Sequence, residues 1–407
     1  MGRVRRIRLQ DDFLRYLCQT SEEPVGIEVG HARGCRVVDH NGKEYLDFIS
    51  GIGVANIGHA HPKVVKAICD QAKRYLHVMV YGEYLQKPQI MLARRLAEVA
   101  PKPLSVTYFT NSGTEAVEGA LKAAKKFTKR QRLVAFEGSF HGDTAGALSV
   151  TGREVYRKPF EPLLPNIRFL PFNVTDALQA IDETTAAVIV EPIQSEGGVR
   201  VPGADFLSTL RERCDRMGTL LVFDEVMTGL GRTGKMFALE HWNVVPDLLV
   251  MAKALGGGMP LGAFIGTPEI MRTLSTDPSL SHVTTFGGHP VSCAAGLAAL
   301  EVLIKEDLAE QAAQKGQRLL QGLKKIAKHG SVREVRGKGL LVGLELEHPD
   351  LTRRFVSACR KAGLLLGWTL HSDTVVRLAP PLVISQRELD RGLMIIRDVL
   401  KKTVGVG

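Results

Sequence analysis

The strongest constraint on the fold is an alternation that begins near residue 105. Short apolar segments at 106–109, 132–136, 186–190, 219–223 and 248–251 read as strands, and 114–127 and 207–217 carry helical periodicity. The 114–127 segment places Ala116, Val117, Ala120, Leu121 and Ala124 on one face. Residues 186–190 are apolar without interruption, as a strand covered on both sides of a parallel sheet should be. Strands that alternate with helices predict an α/β fold with a doubly wound, mostly parallel sheet.

The flanking regions follow other patterns. Residues 35–40 and 43–48 surround Asn41-Gly42, which predicts a hairpin with a type I′ turn. The glycine-rich passage 50–62 reads as loop, and 62–76 and 88–99 as helices. Beyond residue 300 come a long helix over 292–328, with a break near Glu306-Asp307, and paired strands over 336–347 around Gly337 and Gly339. A helix over 351–362 and a strand over 374–378 follow, and Ser385 and Glu388 form a capping box for the last helix. A chain of 407 residues exceeds what one hydrophobic core holds. The expected division is a large domain over 51–300 and a smaller α+β domain over 301–407, against which residues 1–50 pack.

Composition narrows the function. The net charge of +10 raises the question of nucleic acid, but the basic residues are interleaved with acids along the chain, which argues against it. An attraction for small anions is the more modest reading. No apolar run reaches membrane-spanning length, and the basic start is not followed by the apolar stretch of a secretory signal. The six cysteines form no Cys-x-x-Cys pair and lack metal-site spacing with histidine, which predicts a reducing, cytoplasmic setting without a structural metal.

In open α/β sheets ligands sit at the carboxyl ends of the strands. The first strand runs into Asn111-Ser-Gly-Thr-Glu115, where Ser112, Gly113 and Thr114 open a helix. A helix N-terminus with small residues suits a phosphate, and simple capping by Ser112 or Thr114 explains the same pattern. Phe140-His141 follows the 132–136 strand and offers a ring for stacking or for packing. Glu191 and Asp224-Glu225 end two further strands. An acid there needs a partner, either a buried cationic ring nitrogen or an arginine or helix end.

The fifth strand delivers Lys253 into Gly256, Gly257 and Gly258. A buried lysine is costly unless it is paired, neutral or covalently modified. A desolvated, neutral amine forms a Schiff base with a carbonyl, whereas a snorkelling lysine at a strand end is the plainer alternative. The glycines are expected to let the backbone approach a bulky group. Taken as a set, a phosphate cradle, a stacking ring, an acid for a ring nitrogen and an amine for a carbonyl describe pyridoxal 5′-phosphate.

The same motifs resemble those of the class III (ω-amino) aminotransferases of fold type I. The resemblance spans nearly the whole chain: Asn111-Ser-Gly-Thr-Glu115, Phe140-His-Gly142, Glu191-Pro-Ile-Gln-Ser-Glu-Gly-Gly198, the stretch from Asp224 to Gly234, the stretch from Pro246 through Lys253 to Gly258, Thr284-Thr-Phe-Gly-Gly288 and Arg336-Gly-Lys-Gly339. It is nearest to the acetylornithine, ornithine, 4-aminobutyrate and putrescine enzymes. It implies that Lys253 forms the Schiff base and moves the substrate proton, and that Asp224 keeps the ring nitrogen protonated. It implies a cofactor site of Ser112, Gly113, Thr114, Phe140, His141, Glu191, Val226 and Met227. Gly113 and Thr114 would hold the phosphate, and Phe140 and Val226 the faces of the ring. Thr285 resembles the residue that reaches the cofactor of a second subunit, implying a homodimer. Glu196 and Arg377 resemble a switch that pairs for an amine donor and opens for a keto acid.

Departures from that pattern bear on the substrate. Asp143 stands in Phe140-His-Gly-Asp-Thr144 where many relatives carry arginine, so a cationic or neutral distal group fits better than an anion, unless Arg153 or Arg157 supplies the charge. Met227 replaces a common glutamine, and Ser195 and His289 replace a common glycine and asparagine. Ile52 is expected to form an apolar wall, with Tyr81 at the entrance and Thr284 nearby. The expected reaction is a ping-pong transamination through pyridoxamine phosphate. A diamine, ω-amino acid or β-amino acid is the donor, and a keto acid such as 2-oxoglutarate the acceptor. The alternatives are an isomerase (aminomutase or racemase) or decarboxylase of the same family, and a non-catalytic regulator that keeps the fold.

Overall fold

The computed structural model describes residues 9–80, 82–327 and 331–404. Its centre is a seven-stranded sheet in the order Val106–Thr110, Gly262–Gly266, Leu248–Met251, Leu220–Asp224, Thr185–Val190, Arg132–Phe136 and Ile167–Leu170. The five strands from Leu248–Met251 to Ile167–Leu170 run parallel, and Gly262–Gly266 is antiparallel to both its neighbours. Helices cover both faces, and the period-two alternation of the strands divides the core. Val134, Phe136, Val188, Val190, Leu221 and Phe223 join one buried cluster, while Leu133, Ala135, Ala187, Ile189 and Val222 join the other. Ala116, Val117, Ala120, Leu121 and Ala124 of helix Gly113–Thr128 pack into the second cluster, as their spacing predicts. The doubly wound α/β fold is thus formed.

Two smaller sheets flank this layer. One joins Val29–Arg33, Arg36–Asp39 and Glu44–Asp47 to Leu364–Leu365, which runs parallel to Glu44–Asp47. The other is antiparallel, in the order Val332–Lys338, Leu341–Leu346, Ser372–Leu378 and Gly367–Thr369. The last helix, Gln386–Val404, opens with the expected capping box: Ser385 N–H donates to Glu388 Oε2 at 3.1 Å and Glu388 N–H to Ser385 Oγ at 3.2 Å. The long helix breaks where expected, into Pro290–Lys305 and Leu308–Ala327, with Asp307 at φ +46°. Among the described residues no helix is long and apolar enough to cross a membrane.

Three local features differ from expectation. The Asn41-Gly42 turn is not type I′, because only Gly42 has positive φ. Gly42 N–H donates to Asp39 O, and Asp39 Oδ1 accepts from Asn41 N–H at 3.0 Å and Lys43 N–H at 2.9 Å, so an aspartate side chain shapes the turn. The glycine-rich passage is more ordered than a loop. Ser50, Gly51, Ile52 and Gly53 form a left-handed turn with φ of 53, 57, 64 and 75°. Left-handed geometry costs a non-glycine residue roughly 1–2 kcal/mol. Asp47 holds it by accepting from Ile49 N–H at 2.7 Å and Ser50 N–H at 3.0 Å, and Ser50 Oγ donates to Ala379 O at 2.6 Å. The third difference concerns the glycines after Lys253. A Cβ on Gly257 would lie 2.8 Å from Ala299 Cβ, against helix Pro290–Lys305. The bareness of Gly257 serves helix packing, not the approach of a ligand.

Candidate active site

Parallel strands bring their carboxyl ends to one edge, and a cavity of about 250 Å³ opens there. Gly113, Thr114, Phe140, His141, Asp143, Glu191, Glu196, Asp224, Val226, Met227 and Lys253 line it, together with Gly142 and Ser195. Segments distant in sequence thus converge as their strand-end positions predict.

Lys253 follows strand Leu248–Met251 and takes a left-handed φ of +47°, a strained conformation for a side-chain-bearing residue. Its Nζ lies 3.6 Å from Met227 Sδ. Burial lowers the pKa of the amine, opposed by the charge of Glu196 and assisted by that of Arg377. The effect is a larger neutral, nucleophilic fraction than an exposed lysine has.

Asp224 ends strand Leu220–Asp224 and is 4% exposed. Its Oδ1 accepts from Val226 N–H at 3.0 Å, and its Oδ2 lies 2.8 Å from His141 Nδ1. His141 Nε2 is buried without a hydrogen-bond partner among the described residues. Glu191 acts as a brace: Oε1 accepts from Phe140 N–H and Oε2 from Ser195 N–H, both at 3.0 Å. Burial pushes its carboxyl up to about 7, with His141 opposing and Asp224 adding to the rise. Phe140 is thereby fixed by its backbone, and its ring meets that of His371 edge-on at 5.8 Å.

Gly113 and Thr114 begin helix Gly113–Thr128, where the first N–H groups have no intrahelical acceptor. Ser112 lies outside the cavity lining and caps this helix, its Oγ accepting from Glu115 N–H at 3.3 Å. A Cβ on Gly113 would sit 3.0 Å from Val226 Cγ1, so a side chain there would press on the cavity wall. Thr144 N–H donates to Thr114 Oγ1 at 3.1 Å, and Thr144 Oγ1 donates to Glu118 Oε1 at 2.6 Å.

Arg377, on strand Ser372–Leu378, forms a buried ion pair with the cavity-lining Glu196; the two side chains are 6% and 7% exposed. Arg377 also donates to Ser195 Oγ at 3.1 Å, and Leu370 N–H donates to Glu196 Oε2 at 2.9 Å. Burial alone would raise the Glu196 carboxyl, but the charges of Arg377 and Lys253 and these hydrogen bonds bring it below its ordinary value.

The other expected residues that are described do not line this cavity. Ile52 is 52% exposed, in the left-handed turn, and its neighbour Gly53 packs against Met227. Thr284 lines a separate pocket with Val80, Gln89 and Tyr108, and accepts from Asn111 Nδ2 at 3.1 Å. Thr285 is exposed. Tyr81 lies outside the described residues. Arg153 donates to Leu370 O at 3.0 Å and Arg157 to Thr151 O at 2.5 Å, so neither is aimed into the cavity to offset Asp143. The sequence reading missed Glu118, Thr144, Leu370 and His371, which support the lining from behind. Their residue types carry no signal at a distance, and only the fold brings them in.

The donor set fits pyridoxal 5′-phosphate: free N–H groups at a helix start, a crowded Gly113, an aromatic ring, a buried carboxylate and an enclosed amine. The aminotransferase class III family model matches residues 17–400. An acetylornithine aminotransferase of Methanopyrus kandleri is 45% identical over 382 residues, covering 94% of this chain and 95% of that protein. The ornithine aminotransferase of Toxoplasma gondii superposes with a TM-score of 0.91 at 31% identity, covering 98% of this chain and 97% of that one. An (S)-enantioselective ω-transaminase of Thermomicrobium roseum gives 0.90 at 31%, covering 97% and 98%. Sequence, fold and cavity agree that the chain belongs to the class III aminotransferases, enzymes that depend on pyridoxal 5′-phosphate.

Proposed function

We propose that this aminotransferase works by ping-pong exchange in the cavity around Lys253. A diamine, ω-amino acid or β-amino acid gives up an amino group in the first half, and a keto acid, 2-oxoglutarate in our reading, accepts it in the second. The observation that carries this reading is the buried Glu196–Arg377 pair, whose acid lines the same cavity as Lys253. Paired, the two present little net charge to an amine. Parted, Arg377 offers a planar two-pronged donor to a carboxylate. One cavity then serves two chemically different substrates in turn.

Pyridoxal 5′-phosphate supplies, when bound, a carbonyl for the amine and an electron-withdrawing ring. Lys253 contributes the amine of lowered pKa and carries the proton to and from the substrate carbon. Asp224, oriented by His141 and Val226 N–H, holds the proton at the ring nitrogen. Gly113 and Thr114 N–H groups receive the phosphate, and Phe140, Val226 and Met227 supply apolar walls. In the same proposal the enzyme is a cytoplasmic homodimer, and Thr285 serves the other copy's site. Support comes from Thr285 being exposed and away from its own cavity, beside a Phe286 that is 53% exposed, and from six free cysteines. The large domain over 51–300 and small domain over 301–407 remain part of this reading.

Absorbance of the holoenzyme tests it. A donor alone should convert the cofactor band once per site, and 2-oxoglutarate should restore it. Initial rates with both substrates varied should give parallel double-reciprocal lines. Racemised or decarboxylated product from a single amino acid, with no keto acid needed, would contradict it.

A further inference from the structure

We infer that Asp143 selects donors that carry a second, distal ammonium group. The inference rests on the donor half of the proposed function and names its substrate class. Asp143 lines the Lys253 cavity, yet it is exposed and makes no ion pair or hydrogen bond among the described residues. The cations considered as partners for it are committed elsewhere. Arg377 is bound to Glu196, and Lys253 is the reacting amine. Arg153 and Arg157 donate to backbone carbonyls. A carboxylate at the cavity wall without a cation of its own attracts one from the ligand and repels a carboxylate.

The position of Asp143 is set by its neighbours. Gly142 has φ +124°, and a Cβ there would lie 2.4 Å from Thr114 Oγ1, so the chain passes tightly over the helix start. Thr144 is anchored to Thr114 and Glu118, and Glu118 Oε1 also accepts from Gly146 N–H at 2.9 Å. The residue is therefore held between two fixed points on a rigid support, as a recognition group needs to be.

The test compares three amines of equal chain length: 1,4-diaminobutane, 4-aminobutyrate and butylamine. They share a four-carbon chain and differ in the distal group, which is an ammonium, a carboxylate or a methyl. Affinity is read by absorbance titration of Lys253→Ala holoenzyme, without turnover, and the first half-reaction by single-turnover mixing with the enzyme that retains Lys253. The expected result is tighter binding of 1,4-diaminobutane than of butylamine by about two- to fivefold, the range of a solvent-exposed ion pair. Asp143→Asn should abolish that ratio, and Asp143→Arg should favour 4-aminobutyrate. Ratios unchanged in both variants, or a wild-type preference for 4-aminobutyrate, would overturn the inference alone. Failure of all three amines to convert the cofactor band would overturn the donor reading and the inference with it.

Discussion

His141 Nδ1 lies 2.8 Å from Asp224 Oδ2, and both side chains are sealed from solvent. The pair joins the loop after strand Arg132–Phe136 to the end of strand Leu220–Asp224. A buried acceptor that loses its donor costs roughly 1–3 kcal/mol. His141→Ala is expected to lower stability by that amount and to lower kcat with KM for the donor little changed, because Asp224 loses its orientation. Stopped-flow kinetics and denaturant melts read the two effects separately. A raised KM with unchanged kcat would assign His141 to substrate binding instead.

Arg377 is predicted to act in only one half of the cycle. Truncating a buried, hydrogen-bonded charge costs about 2–5 kcal/mol in binding. Arg377→Ala should raise KM for 2-oxoglutarate at least tenfold while the half-reaction with an uncharged amine keeps its rate. Equal losses in both halves would show a structural role.

Leu370 and His371 tie Glu196 to the tip of the Gly367–Thr369 and Ser372–Leu378 hairpin. Leu370 N–H donates to Glu196 Oε2, His371 N–H to Glu196 O, and the His371 ring stacks on Tyr156 at 5.1 Å. His371→Ala should loosen Glu196 and alter KM for the keto acid several-fold, as mutation of a supporting group does. The first half-reaction should change less. The ratio of the two effects is the readout.

Gly113 faces Val226 Cγ1 and Cγ2 at 3.0 and 3.1 Å from an added Cβ. Gly113→Ala forces the wall inward by a few tenths of an ångström. Affinity for pyridoxal 5′-phosphate, measured by fluorescence quenching, should fall about tenfold, the effect of roughly 1.4 kcal/mol of strain. Melting temperature without cofactor should change little. Undiminished affinity would place the phosphate elsewhere.

Glu191 gives a pH dependence. Its carboxyl is pushed from 4.5 to about 7 by burial, with His141 opposing and Asp224 adding. Between those values the folded chain keeps a proton that the unfolded chain releases. The stabilising contribution is fully present below 4.5 and is lost as pH rises through about 7. Each tenfold gain in proton affinity on folding corresponds to about 1.4 kcal/mol, which sets the upper bound of the effect. Glu191→Gln should remove this loss. Comparing wild-type and variant melts without cofactor at about pH 5 and about pH 8 checks the sign: the variant gains relative stability at the higher pH.

The parallel sheet was legible because its strands are apolar, short and separated by periodic helices. That topology alone carries Gly113, Phe140, Glu191, Asp224 and Lys253 to one edge, so the core of the cavity was legible too. Gly262–Gly266 was not, since a five-residue apolar run between glycines gives no sign of its reversed direction. The left-handed turn at Ser50 and Ile52 was hidden because Asp47 imposes it through backbone hydrogen bonds. The Leu370–His371 support reaches Glu196 across 174 positions, and only the folded hairpin makes that contact. Gly257 was misread because helix Pro290–Lys305, the partner that needs it bare, lies further along the chain.

In the proposed function Lys253 is the amine that handles both cofactor and substrate proton, and everything proposed for the cavity depends on it. The direct measurement is multiple-turnover transamination by Lys253→Ala with saturating donor, 2-oxoglutarate and pyridoxal 5′-phosphate. The expected rate is at least about a hundredfold lower, the loss of a general acid–base group, with the fold and the cofactor phosphate site intact. A rate near that of the wild type would contradict the role given to Lys253.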